Sequence, residues 1–188
     1  MKATRISATA IAIAAAAGLT LPAAAPATTV KVSGTQTVVD EAAGTFKMAG
    51  SLVGDWATTS FHVLGKAPLY RAKGTERFTG CLDTGRDGSC SGDPAGTVRF
   101  AFTYSAKFGP GNPPALVWGA CMHPVSGGTG AFAGARGVIT MVDTATPTGV
   151  ETSYIGNLTY GSSGTGAGSH GRARARAAAG PRGCATGG

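Results

Sequence analysis

The chain beyond its first thirty residues lacks helical periodicity: apolar residues do not recur at three- and four-residue spacing. That excludes helix bundles and folds that alternate strands with helices. No G-x-S-x-G turn occurs, and the glycine-rich stretch over 130–137 lacks a Lys-Ser/Thr ending. A nucleophile-elbow hydrolase and a phosphate-loop nucleotide site are thereby excluded. No CxxC or HxxxH spacing is present, which argues against zinc. Asp83, Asp87 and Asp93 with Gly88 miss the alternate-residue ligand pattern and the distal Glu of an EF-hand loop. No metal and no cofactor is expected.

Charge is scarce in the middle of the chain. Of 16 Lys and Arg, six lie in the two ends, leaving ten against nine Asp and Glu. The formal net charge of +7 is therefore an end effect. Met1-Lys2-Ala3-Thr4-Arg5, an apolar stretch from Ile6 to Leu21, and the small-x-small site Ala25-Pro26-Ala27 read as a signal peptide over residues 1–27. The apolar stretch is shorter than the roughly 20 residues a span requires, and no later run is longer. Secretion is expected, with no membrane partner after cleavage. Residues 162–188 hold Gly, Ala, Ser and Arg but no large apolar side chain, and read as a disordered tail. Arg172, Arg174 and Arg176 have no aromatic neighbours to stack on bases, so no nucleic-acid partner is expected. One domain remains, over residues 28–161.

What is there is period-two alternation. Val98, Phe100, Phe102, Tyr104, Ala106 and Phe108 alternate with Arg99, Ala101, Thr103, Ser105 and Lys107, giving a strand with one packed and one wet face. Leu116, Trp118, Ala120 and Met122 alternate with Val117, Gly119 and Cys121 along the next strand. Further strands are expected over 29–38, 46–56, 58–64, 69–82, 137–143 and 151–160. Eight antiparallel strands can close into a barrel; a β-sandwich is the alternative.

In the strand over 69–82 the odd positions Arg71, Lys73, Thr75, Arg77 and Thr79 form the wet face. Glu76 therefore falls on the apolar face beside Tyr70 and Phe78. A carboxylate there is costly unless paired or protonated, which makes Glu76 the candidate catalytic acid/base or polar anchor. Trp56, Tyr70, Phe78, Phe100, Phe102, Tyr104 and Trp118 are the expected wall of a ligand pocket. His123, just before Pro124, reads as a loop histidine at a strand end. Asn157-Leu158-Thr159 is a glycosylation sequon inside an expected strand. Four cysteines in an exported chain point to disulfides. Cys81–Cys90 would staple a Gly/Asp-rich loop, Cys90–Cys121 is the alternative, and Cys184 is free or pairs between chains.

The run Gly127-Gly128-Thr129-Gly130-Ala131-Phe132-Ala133-Gly134-Ala135-Arg136-Gly137 joins two strand-like segments, with Phe132 placed to plug a barrel end. It resembles the GGTG-x-F-x-x-A-x-G signature of the allene oxide cyclase and dirigent barrels, on Gly127, Gly128, Thr129, Gly130, Phe132, Ala135 and Gly137. The resemblance implies an all-β, closed eight-stranded antiparallel barrel with an apolar pocket. It also implies an isomerase or cyclase activity, or a stereo-directing role without turnover, and a possible homo-oligomer. The function expected is binding of a small hydrophobic molecule in the barrel of a secreted protein. The 81–90 loop and the arginine tail depart from the plant members.

Overall fold

The computed structural model describes residues 26–161, apart from 67 and 113. The Arg-rich tail with Cys184, and all but the last residues of the leader, lie outside them. The strands are β1 (Thr28–Asp40), β2 (Thr45–Gly50), β3 (Leu52–Val63), β4 (Leu69–Leu82), β5 (Ala95–Gly111), β6 (Pro114–Gly130), β7 (Arg136–Thr146) and β8 (Gly149–Tyr160). Each pairs antiparallel with the next, and β1 pairs with β8 from Thr28↔Tyr160 to Gln36↔Thr152. That last pairing closes the sheet into an eight-stranded barrel and excludes the sandwich.

The alternation read from the sequence holds along β5, where Val98, Phe100, Phe102, Tyr104 and Ala106 are all buried. It holds along β4, where Ala72, Glu76 and Phe78 are buried between exposed Arg71, Lys73 and Arg77. One end of the barrel is plugged. Phe132 is fully buried at the β6–β7 turn, with its ring 6.5 Å from Phe78 and 5.7 Å from Tyr160. The turn is tight because Ala135 donates its amide to the Phe132 carbonyl at 2.9 Å. A side chain at Gly128 would collide with the Phe132 carbonyl. These contacts are the physical reason for the glycine-rich run.

Two expectations need correction. Residues 46–56 do not form one strand. The chain turns at Ser51, and Met48 pairs with Gly54 across a hairpin. Gly50, at φ 101°, makes the corner, and the buried Tyr154 hydroxyl fixes it. That hydroxyl accepts the Leu52 amide at 2.8 Å and donates to the Ala49 carbonyl at 3.1 Å. The phase of β6 is also reversed over 118–123. The register shifts between Lys107 and Phe108, so Leu116 opposes Phe108 and Trp118 opposes Lys107. Beyond the shift, Cys121 and His123 are buried while Met122 is 52 % exposed. Such a bulge flips every subsequent side chain to the other face. The first of the two disulfide readings holds: Cys81 pairs with Cys90, at a Cα–Cα distance of 5.5 Å. Cys121 is itself disulfide-bonded and does not take Cys90. It opposes Tyr104, deep along β5, whereas Cys81 opposes Ala95 at the strand's start.

Candidate functional site

Glu76 reaches the interior from β4, as its parity demands, and is 9 % exposed. Its partner is His123, 1 % exposed, brought inward by the β6 phase reversal. His123 Nε2 lies 2.7 Å from Glu76 Oε2. The Thr58 hydroxyl, from β3, donates to Glu76 Oε1 at 3.3 Å. The carboxylate thus has an imidazole against one oxygen and a hydroxyl donating to the other, which offsets part of the cost of burying it.

Aromatic rings surround the pair. Trp56 meets His123 edge-on at 5.3 Å, with Phe102 at 6.1 Å and Phe100 at 6.2 Å. Trp56 stacks on Phe100 at 4.5 Å and sits 6.4 Å from Phe78. On the plugged side, then, the expected wall residues Trp56, Phe78 and Phe100 pack on one another as core. The buried Trp56 indole N–H has no hydrogen-bond acceptor among the described residues, a state that costs about 1–3 kcal/mol.

Toward the other end, the rim, the interior turns polar. A side chain on Gly119 would stand 2.5 Å from Asp143 Oδ2 and 3.1 Å from the Tyr104 hydroxyl, so both groups converge over that glycine. Thr152 donates its hydroxyl to Asp143 Oδ1 at 2.7 Å, and both residues are buried. Gln36, also buried, opposes Thr152 in the β1–β8 ladder. A cleft of about 440 Å³ opens beside them, lined by residues 35–38 of β1 and 150–152 of β8. Tyr70 packs edge-on against Tyr104 at 5.9 Å, and burial raises its phenol pKa. The interior is apolar toward Phe132 and carries hydroxyls, carboxylates and an imidazole toward the rim.

The structure brings Glu76, Trp56, Phe100 and Phe102 together around His123 and sets Tyr70 and Tyr104 on the rim side. Trp118 does not join them. Opposite Lys107, it stands on the face that Cys121 and His123 leave. The sequence reading missed His123, Asp143, Thr152 and Gln36. Asp143 and Thr152 carried a usable signal, since each continues a period-two inward row: Ile139, Met141, Asp143 on β7 and Thr152, Tyr154 on β8.

In the Cys81–Cys90 loop, Asp83 accepts the amides of Arg86, Asp87 and Gly88, and Asp93 accepts from Thr84. These carboxylates hold loop backbone. A second cleft, about 450 Å³, lies beside this loop and the Gly50–Ser51 corner.

No family model, no curated protein and no solved structure matches the chain. The site's reading therefore rests on its geometry. The Cys81–Cys90 disulfide is compatible with an extracellular protein.

Proposed function

We propose that the chain is a secreted barrel that binds a small, largely apolar molecule carrying an oxygen function. The carrying observation is the buried Glu76–His123 contact of 2.7 Å inside an aromatic cage. Binding sites for small molecules combine an apolar wall with a few placed polar groups. Here Phe102 and Tyr104 supply the wall on the rim side, and His123, Glu76 and the Trp56 indole N–H supply the polar groups. An oxygen acceptor on the ligand would satisfy the indole donor. The resemblance of the 127–137 run to the allene oxide cyclase and dirigent barrels supports the same reading.

A second reading, as an isomerase or cyclase, draws on the same pair. A carboxylate in contact with an imidazole can move a proton at a bound oxygen, and the enclosed wall would position the reacting atoms.

Native mass spectrometry of the protein purified from its own culture medium tests binding. A co-purifying molecule, absent from the Glu76→Leu/His123→Phe double variant, is the expected result. Wild-type and double variant both free of adduct, with equal uptake of an apolar fluorescent probe, would overturn the reading. Turnover of the molecule by wild type, lost in Glu76→Gln while binding persists, would select the second reading.

A further inference from the structure

The rim carries a segregation of charge and apolar surface that ligand binding inside the barrel does not use. The β3–β4 hairpin ends on Phe61, Val63, Leu64 and Leu69, which are 46–56 % exposed. Val117, at the start of β6, is equally exposed at the same end. Phe61 is there because of a bulge: the register shifts between Thr58 and Ser60, so Phe61 opposes Gly74 and its ring lies 5.9 Å from Phe102.

Cations flank these side chains. Lys66, Arg71, Lys73 and Lys107 are all exposed on this half of the rim. Lys107 sits between Leu69 of β4 and the half-buried Trp118 of β6. Among the described residues, the rim half of β3–β6 has no exposed carboxylate. Asp55 is paired with Lys47 at 2.6 Å, Glu76 is buried, and Asp83, Asp87 and Asp93 belong to the loop at the plugged end. The exposed acids of the rim, Asp40, Glu41 and Glu151, lie on β1, the β1–β2 turn and β8, outside this half.

Exposed apolar side chains framed by lysine and arginine, with a tryptophan at their border, suit an interface between hydrocarbon and anionic headgroups. We propose that this half of the rim docks on an anionic lipid surface, with Leu64, Leu69 and Val117 entering the headgroup region and Lys66, Lys73 and Lys107 meeting the phosphates. The expectation of no membrane partner came from the lack of a spanning run. Docking of this kind needs none. It goes beyond the ligand reading and stands without it.

The test uses the full mature chain and vesicles of phosphatidylglycerol and phosphatidylcholine in equal parts, against phosphatidylcholine alone. Wild type is expected to co-sediment with the anionic vesicles and to show Trp118 emission quenched by brominated lipid. The other tryptophan, Trp56, is 1 % exposed, and Trp118→Phe removes the quenched signal. Lys66→Glu/Lys73→Glu weakens binding at least about 25-fold, at roughly fivefold per lysine charge lost, and Leu64→Ser/Leu69→Ser weakens it at least about tenfold through lost apolar burial. Both change only exposed residues, and an unchanged thermal melt confirms the fold. Three results would overturn the proposal. The first is vesicle binding unaffected by either pair. The second is binding without Trp118 quenching, which assigns it to the arginine tail. The third is a rim-dependent dimer, lost in Leu64→Ser/Leu69→Ser, with no vesicle binding.

Discussion

Tyr154→Phe isolates one oxygen atom that ties β8 to the β2–β3 corner. In the wild type that oxygen accepts the Leu52 amide at 2.8 Å and donates to the Ala49 carbonyl at 3.1 Å. The ring itself stays in place in the variant, so apolar burial is nearly unchanged. What changes is a buried amide left without its acceptor and a carbonyl left without its donor. An orphaned buried group costs about 1–3 kcal/mol, so the expected loss is about 2–3 kcal/mol from a domain whose total is on the order of 5–15 kcal/mol. Urea unfolding followed by circular dichroism reads this as a lower midpoint at constant slope. A second arm uses pH. Burial raises the Tyr154 pKa from 10.0 to about 12, with the Leu52 amide pulling it partly back. The folded pKa is the higher one, so the stabilisation is complete below pH 10 and is lost as pH rises toward 12. Two units correspond to about 3 kcal/mol. The wild-type advantage over the Phe variant should shrink across that window. A Phe variant within about 0.5 kcal/mol of wild type, or an advantage flat from pH 9 to 12, would refute the role assigned to this hydroxyl.

At the same corner, Gly34→Ala drives a methyl group into the Ala49 carbonyl and within 2.6 Å of the Tyr154 hydroxyl. Backbone cannot yield there, and a loss of about 1–3 kcal/mol in a thermal melt is expected. Phe132→Ala removes the plug and should cost about 3–5 kcal/mol in chemical unfolding. Glu76→Ala removes the carboxylate that the buried His123 contacts and should cost about 3–5 kcal/mol, whereas Glu76→Leu with His123→Phe should return most of it. Equal stabilities for the single and double variants would show that the two groups are not coupled. Replacing Cys81 and Cys90 by Ser opens a nine-residue separation and should lower stability by about 2–3 kcal/mol in the chain-entropy model. A reductant-insensitive melt of the wild type would contradict that.

Local pattern was enough to read much of this protein. Alternation along β4 and β5 placed Phe78, Phe100, Phe102 and Tyr104 inside, and put Glu76 among them, because side-chain direction in a strand has period two. The glycine run predicted a tight turn and a plugging Phe132, because only glycine tolerates backbone approaching that closely. The nine-residue spacing of Cys81 and Cys90 across a turn-rich loop made their pairing one of two readings. Local pattern failed where the ladder slips. The bulges at Thr58–Ser60 and opposite Lys107–Phe108 cost nothing visible in composition, yet each inverts the phase of the residues beyond it. Only tertiary pairing could therefore turn His123 from an apparent loop residue into the partner of Glu76, send Trp118 outward and Phe61 to the rim. Barrel closure was decided the same way: β1 and β8 are far apart in the chain, and their hydrogen bonds exist only once six other strands have twisted between them.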